Sequence, residues 1–223
     1  PHEIFQCDYD NIALFDTICP NDISQGILGV CYLLSALSAL AEFPGRLTNI
    51  YINQESNPQG VYAMRLYVKG IPTDIFVDDY FPCYHNNPTK PFFSKPKGNE
   101  LWVLLAEKVW AKLFNNYVAC EAGFMDEALE YLLGCPTGRF LTPDQTEDEI
   151  WKILSHADKK NYIICAATNG QVTTEKEGLV AHHAYSLLSV HQLGEHRVLK
   201  LRNPWGHLEW KGDFSDSSPL WTE

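Results

Sequence analysis

The sequence predicts an α+β protein in two parts, a helical N-terminal half and an antiparallel β C-terminal half with a cleft between them. Along the chain the order reads helix, strands, helices, then strands. Between the two halves, Cys135-Pro136-Thr137-Gly138 is the clearest break in pattern, which divides the chain into residues 1–137 and 138–223.

Each element has its own signal. Leu33 to Ala41 carries apolar residues at 33, 34, 37, 40 and 41, a helix stripe. Val61 to Val68 and Ile71 to Val77 read as a strand pair turning at Lys69-Gly70. Glu100 to Phe114 is a helix whose Leu101, Leu104, Leu105, Val109 and Leu113 form a packing stripe, not a cofactor box. Asp126 to Leu133 is a short helix that Gly134 stops. Thr146-Glu147-Asp148-Glu149 is a capping box, opening a helix with Ile150, Ile153, Leu154 and Ala157 on one face. Tyr162 to Thr168, His183 to Val190 and Arg197 to Arg202 then build a sheet, the last two around a turn marked by Gly194. Pro204 ends the last strand, because proline cannot donate to a central ladder.

Composition narrows the function classes. At 223 residues and 45% apolar content, the chain can bury one large core or two modest ones. No apolar run reaches 18 residues, so no integral membrane association is expected. A net charge of −11 argues against nucleic acid and anionic membrane surfaces as partners. Seven cysteines is an odd number, and no Cys-x-x-Cys pair occurs, which weakens both a disulfide framework and a zinc site. A reducing, cytoplasmic compartment fits that usage. Cys83, Cys120, Cys135 and Cys165 read as core or surface thiols. Pro1-His2-Glu3 has neither an initiating Met nor a signal pattern, so an excised or truncated piece of a longer protein is expected.

One cysteine stands apart. Cys31 follows Gln25-Gly26-Ile27-Leu28-Gly29-Val30 and opens the first apolar helix. A helix N-terminus offers unpaired N–H groups and the positive end of the macrodipole, which favour the nucleophilic thiolate. The two glycines leave the turn uncrowded for a substrate.

A basic partner is found far along the chain. In the antiparallel hairpin after residue 182, a turn centred near Leu193 makes facing residue numbers add to about 386, as those of His183 and Asn203 do. An Asn oxygen can accept from the imidazole, fix its tautomer and aim the other nitrogen at a nucleophile. His182 competes, since successive strand residues point to opposite faces and the register argument alone favours His183 without excluding it. Cys, His and Asn in that order make a papain-type thiol site.

These residues resemble the protease core of the calpain family, the calcium-dependent cysteine proteases. That family carries Gln-Gly-x-Leu-Gly-Asp-Cys-Trp-Leu-Leu, Gly-His-Ala-Tyr-Ser and Arg-Asn-Pro-Trp-Gly motifs. Gln25 to Leu34, His183 to Ser186 and Arg202 to Gly206 match them in order. Further similarity runs through Ile75 to Asp79, Gly98 to Trp102, Leu105 to Leu113 and Glu127 to Leu129. The resemblance selects His183, the histidine followed by Ala-Tyr-Ser, over His182. It implies a papain-like two-subdomain fold, with Cys31 as nucleophile and His183 as its base and later general acid. Asn203 would orient His183, Gln25 would donate to the oxyanion with the Cys31 N–H, and Trp205 would shield the His183–Asn203 contact from water. The implied activity is calcium-dependent intracellular cleavage of peptide bonds through an acyl-enzyme. Unstructured protein segments are the expected substrates, and regulatory domains or subunits outside this chain the expected partners.

Calcium is implied as a regulatory ion rather than a catalytic one. Asp22 and Glu127 match acidic ligands of one site, and Glu209 and Asp216 those of a second, which draws further ligands from beyond Glu223. Calcium takes several hard oxygen ligands, which suits carboxylates. No EF-hand loop occurs in the chain. Calcium would bias closure of the two halves and offset the acidic charge that otherwise repels acidic substrates. The sequence departs from the family at Val30, where the motif has Asp, and at Tyr32, where it has Trp. These changes remove a charge near the nucleophile and place a smaller aromatic on the substrate side. A catalytically impaired binding module and a papain-type transamidase remain the alternatives.

Overall fold

The structure, a computed structural model, describes residues 1–170 and 177–221. Its α-helices are α1 (His2–Phe5), α2 (Cys31–Ala41), α3 (Pro44–Thr48), α4 (Trp102–Leu113), α5 (Met125–Leu133) and α6 (Glu147–Lys159). Its strands are β1 (Val61–Val68), β2 (Ile71–Asp78), β3 (Cys83–Tyr84), β4 (Asn87–Pro91), β5 (Ile164–Ala167), β6 (Ala184–Leu193) and β7 (His196–Arg202). All strand pairs are antiparallel, so the α+β class holds.

The principal core is one cluster from Ile12 to Leu132, built around α2 and α4. Every residue of α2 after Cys31 is buried, so this helix, apolar but for Ser35 and Ser38, lies inside the protein. It begins at Cys31, two residues before the stripe that marked it, which puts the thiol in the first helical turn. The β1–β2 hairpin pairs Val61 with Asp78 through Val68 with Ile71. Lys69 and Gly70 turn it with φ of 53° and 78°, the paired positive angles of a two-residue hairpin loop. A second hairpin, β3–β4, was not expected from sequence. It makes the N-terminal part more mixed than the helical half predicted. The expected caps are present: Gly134 ends α5 at φ 64°, and Thr146 and Glu149 exchange hydrogen bonds at the start of α6.

The remaining sheet has the order β5-β6-β7 and rests on α2. Ser186 Oγ donates to the Ser35 carbonyl at 2.7 Å, both residues fully buried, which joins β6 to the middle of α2. The Gln25 N–H donates to the Pro204 carbonyl at 3.2 Å, which joins the loop before α2 to the end of the hairpin. The chain's first cysteine-bearing helix and its last two strands are thereby held in one place.

The hairpin register differs from the expected one. Gly194 and Glu195 form the turn, so facing numbers add to 389 from Leu193–His196 to Ser189–Lys200. A bulge between Leu187 and Ser189 lowers the sum to 388, as in Leu187–Leu201 and Ser186–Arg202. Carried one step further, Asn203 lies opposite Tyr185, and His183 is its diagonal neighbour on the same face rather than its direct partner. Among the described residues no helix is long and apolar enough to cross a membrane.

Candidate active site

The loop from Ser24 to Val30 holds Cys31 at the head of α2 through contacts on every side. Lys95 N–H donates to Ser24 O at 2.9 Å, Ala122 N–H to Gly29 O at 3.0 Å, and Val30 N–H to Leu28 O at 2.9 Å. Gly26 lies so close on the Phe93 carbonyl that an added Cβ would sit 1.7 Å from its oxygen. No side chain larger than hydrogen fits there, so the glycine in the motif answers a close approach of two backbones.

Cys31 is half-buried. Burial pushes its thiol above the ordinary value, and the backbone N–H groups of Ala184, Tyr32 and Cys31 itself pull against that rise. Burial therefore outweighs the helix N-terminus, contrary to the expectation of a favoured thiolate. The Ala184 contact also places the sulfur against the residue next to His183.

His183 is buried, as is Asn203. His183 Nε2 and Asn203 Oδ1 lie 2.8 Å apart. The direction of this bond follows from the neighbours. The Trp205 N–H, which can only donate, points at the same Asn203 atom at 3.0 Å, so that atom is the oxygen. On its other side, Asn203 Nδ2 donates to His207 O at 2.8 Å. His183 Nε2 must then carry the proton, and a neutral ring keeps its Nδ1 lone pair free to act as a base. Trp205 packs its ring against the imidazole at 4.3 Å between centroids, and Tyr185 meets it edge-on at 5.0 Å. Burial pushes the His183 pKa below its ordinary value, with the Asn203 contact opposing. Both shifts favour an uncharged thiol and an uncharged imidazole.

His182 is exposed, has a left-handed φ of 52°, and lays its ring over Gly170, away from the Asn203 contact. Gln25 Nε2 donates to Leu28 O at 2.7 Å, leaving the second N–H of that amide for another acceptor. Its Oε1 is buried without a hydrogen-bond partner.

The two departures from the motif turn out to lie in the interior. Val30 is fully buried in the core. Tyr32, expected on the substrate side, is also buried. Its phenol donates to Cys120 O and accepts from Trp110 Nε1, each at 2.8 Å, while Gly123 presses on the ring.

The candidate calcium ligands are more dispersed. Asp22 is buried in a turn, where its carboxylate accepts from Cys19 N at 2.7 Å. The acid whose pKa responds to the Asp22 charge is Glu100, which is raised chiefly by burial. Glu100 in turn accepts from Asp16 N and Trp102 Nε1. Glu127 lies exposed in the first turn of α5 and acts electrostatically on Tyr32. The sequence reading therefore missed Glu100 as the neighbour of Asp22, although it stands within a segment already matched to the family. Glu209 and Asp216 both line a groove of about 660 Å³ along β7. Among the described residues no group of three or more His, Cys, Asp or Glu side chains is placed to hold a metal.

Comparison with known proteins identifies the family. The family model described as calpain family cysteine protease matches residues 1–223. The chain is 36% identical over 216 residues to the calpain-type cysteine protease DEK1 of Zea mays, covering 91% of this chain and 10% of that protein. The corresponding protein of Arabidopsis thaliana is 36% identical over 214 residues, with 92% and 10% covered. Calpain-12 of Mus musculus is 34% identical over 210 residues, with 90% and 29% covered. The chain thus spans about a tenth of the plant relatives and under a third of the mouse one.

Proposed function

The chain belongs to the calpain family of cysteine proteases, and we propose that it hydrolyses peptide bonds through a thioester formed on Cys31. The observation that carries this reading is the buried His183–Asn203 pair, whose fixed tautomer leaves Nδ1 as the base, beside the residue that contacts the Cys31 sulfur. His183 Nδ1 takes the thiol proton as the sulfur attacks the substrate carbonyl carbon. The Cys31 N–H and the second N–H of Gln25 receive the oxyanion, one such donor being worth roughly 3–4 kcal/mol in the transition state. His183 then returns the proton to the departing amine, and the thioester carbon is attacked by a water that His183 deprotonates. Trp205 covers the His183–Asn203 bond and keeps water from competing for it. The resting pair is neutral in this scheme, and the proton moves when substrate arrives.

The substrate is an extended, unstructured protein segment laid in a cleft between residues 1–137 and 138–223. Calcium is the proposed regulator. Asp22, with Glu100 within reach of its charge, offers hard oxygen donors on one side, and Glu209 and Asp216 share one groove on the other. Glu127 is left as a weaker candidate by its exposed position. Domains or subunits outside this chain are the proposed regulatory partners, and the cytoplasm its proposed compartment.

The test is cleavage of casein by the chain and by Cys31→Ala, at zero and millimolar calcium. The expected result is cleavage that needs calcium and is lost in the variant. Cleavage without calcium would remove the switch and keep the chemistry. A folded protein that cleaves nothing would instead favour the binding-module reading, and amide products with an added amine would favour transamidation.

A further inference from the structure

Helix α4 carries a carboxylate that packing alone does not call for. Glu107 is 1% exposed, and one oxygen, Oε1, has no hydrogen-bond partner. The other, Oε2, accepts from the backbone N–H of Ser94 at 2.8 Å. The four ion pairs among the described residues do not include it. Burial pushes the carboxyl up to about 7, against the pull of the Ser94 N–H and the nearby Ser94 hydroxyl.

The segment that Glu107 grips leads directly to the loop before Cys31. Ser94 is fully buried between Phe93 and Lys95. Lys95 pairs antiparallel with Ser24 and donates its N–H to the Ser24 carbonyl at 2.9 Å. The Phe93 carbonyl is the surface on which Gly26 rests. Phe93 is held from its other side by Tyr117, stacked at 4.1 Å with an interplanar angle of 18°. The strap from Phe93 to Lys95 thus touches the residues on both sides of Gln25, while Pro204 O takes the N–H of Gln25 itself.

We propose that Glu107 is a positioning residue for the oxyanion side of the active site, acting through the Phe93–Lys95 strap on Gln25. The inference rests on the protease reading only in giving Gln25 the oxyanion role. The carboxylate fixes the strap at Ser94, the strap fixes the backbone at Ser24 and Gly26, and the Gln25 amide follows. A group positioned in this way matters to the transition state more than to substrate binding.

The experiment compares Glu107→Leu, Glu107→Ala and Glu107→Gln in the wild-type and Gln25→Ala backgrounds. Four quantities are read: the NMR signal of the Gln25 side-chain amide, kcat and KM on a peptide substrate, and the alkylation rate of Cys31 by iodoacetamide. Glu107→Leu is expected to shift the Gln25 signal and lower kcat about tenfold to a hundredfold, as an ångström of misplacement does. KM and the alkylation rate should stay within about twofold, because neither depends on the oxyanion. Glu107→Gln keeps an acceptor for Ser94 and should restore most of kcat. In the Gln25→Ala background Glu107→Leu should cost nothing further. An unmoved Gln25 signal, or an equal kcat loss with and without Gln25, overturns the proposal. Should Glu107→Leu fail to fold, Glu107→Ala removes the same acceptor without adding bulk, and an unmoved Gln25 signal in that variant overturns the proposal. A wild-type chain that cleaves nothing defeats the protease reading, and the Gln25 signal in the Glu107 variants still decides the positioning.

Discussion

Tyr32→Phe removes a single oxygen from beneath the active-site loop, and its cost can be worked from two hydrogen bonds. The phenol accepts from Trp110 Nε1 and donates to Cys120 O, both at 2.8 Å. Trp110 and Cys120 are each 2% exposed, so water does not replace the lost partner. A buried group left unsatisfied costs about 1–3 kcal/mol, and two of them set a range of about 2–6 kcal/mol. The carbonyl tolerates the loss better than the indole N–H, which places the expected value near 3 kcal/mol. For a chain of this size that is a fall in Tm of about 6–12 °C, since each kcal/mol moves Tm by about 2–4 °C. Urea unfolding followed by tryptophan fluorescence measures it. The Cys31 alkylation rate should change little, because the phenol points into the core rather than at the sulfur. A loss below about 0.5 kcal/mol would refute the argument, since it would mean the phenol is solvated on the cleft side, as the sequence alone suggested. Restoring the family residue with Tyr32→Trp is no remedy, because Gly123 already presses on the phenol ring and overpacking costs about 1–3 kcal/mol.

Three further predictions follow from the same contacts. Asn203→Ala leaves both the His183 Nε2–H and the Trp205 N–H without their acceptor, and should lower kcat about 10²–10⁴-fold on a peptide substrate, with the protein still folded by circular dichroism. Ser186→Ala breaks the bond from β6 to the Ser35 carbonyl and should cost about 1 kcal/mol, seen as faster amide exchange in the β6–β7 hairpin before global unfolding. Glu107→Gln should raise stability at pH 8. The carboxyl titrates at about 7 when folded against 4.5 when free, so the folded state binds the extra proton between these values. Stability is therefore full below pH 4.5 and falls as pH rises through 7, by up to about 3 kcal/mol at 1.36 kcal/mol per unit. The glutamine variant should lack that slope, and an unchanged slope would show that Glu107 ionises freely in the folded protein.

Much of this arrangement was legible in the sequence because its signals are local. The glycine-punctuated turn before Cys31, the Thr146 capping box, the Gly134 stop and the Lys69-Gly70 hairpin each rest on backbone chemistry a few residues long. The closeness of His183 and Asn203 was readable because a turn residue and strand alternation fix a hairpin to within a residue or two, while the choice of His183 over His182 came from the family resemblance. What was not readable depends on distant partners. The β3–β4 hairpin has a two-residue strand facing a proline-bounded one, too short for any period to register. The depth of Tyr32 is decided by Trp110 and Cys120, about eighty residues away in the chain. The acidity of Cys31 was misjudged because a helix end is visible in sequence and the burial that outweighs it is not. The charge of Asp22 reaches Glu100 across 78 residues of chain, a proximity with no local mark.

The single extra residue in β6 has a consequence for which histidine does the work. Without the bulge, the sum of 389 set by the turn would continue down the hairpin and bring Ser186 opposite Asn203. The residues sharing Asn203's side of the sheet would then be 184 and 182, and His183 would face away. The bulge turns the strand over once and exchanges the two neighbours. Deleting Leu188 itself should remove the bulge and leave Leu187 opposite Leu201, so His183 keeps its place, whereas deleting one residue between the bulge and His183 should present His182 to Asn203; adding a facing pair of residues, one on each strand, between bulge and turn should be harmless. A change of one residue between the bulge and His183 reassigns the base, and a facing pair nearer the turn only lengthens the ladder.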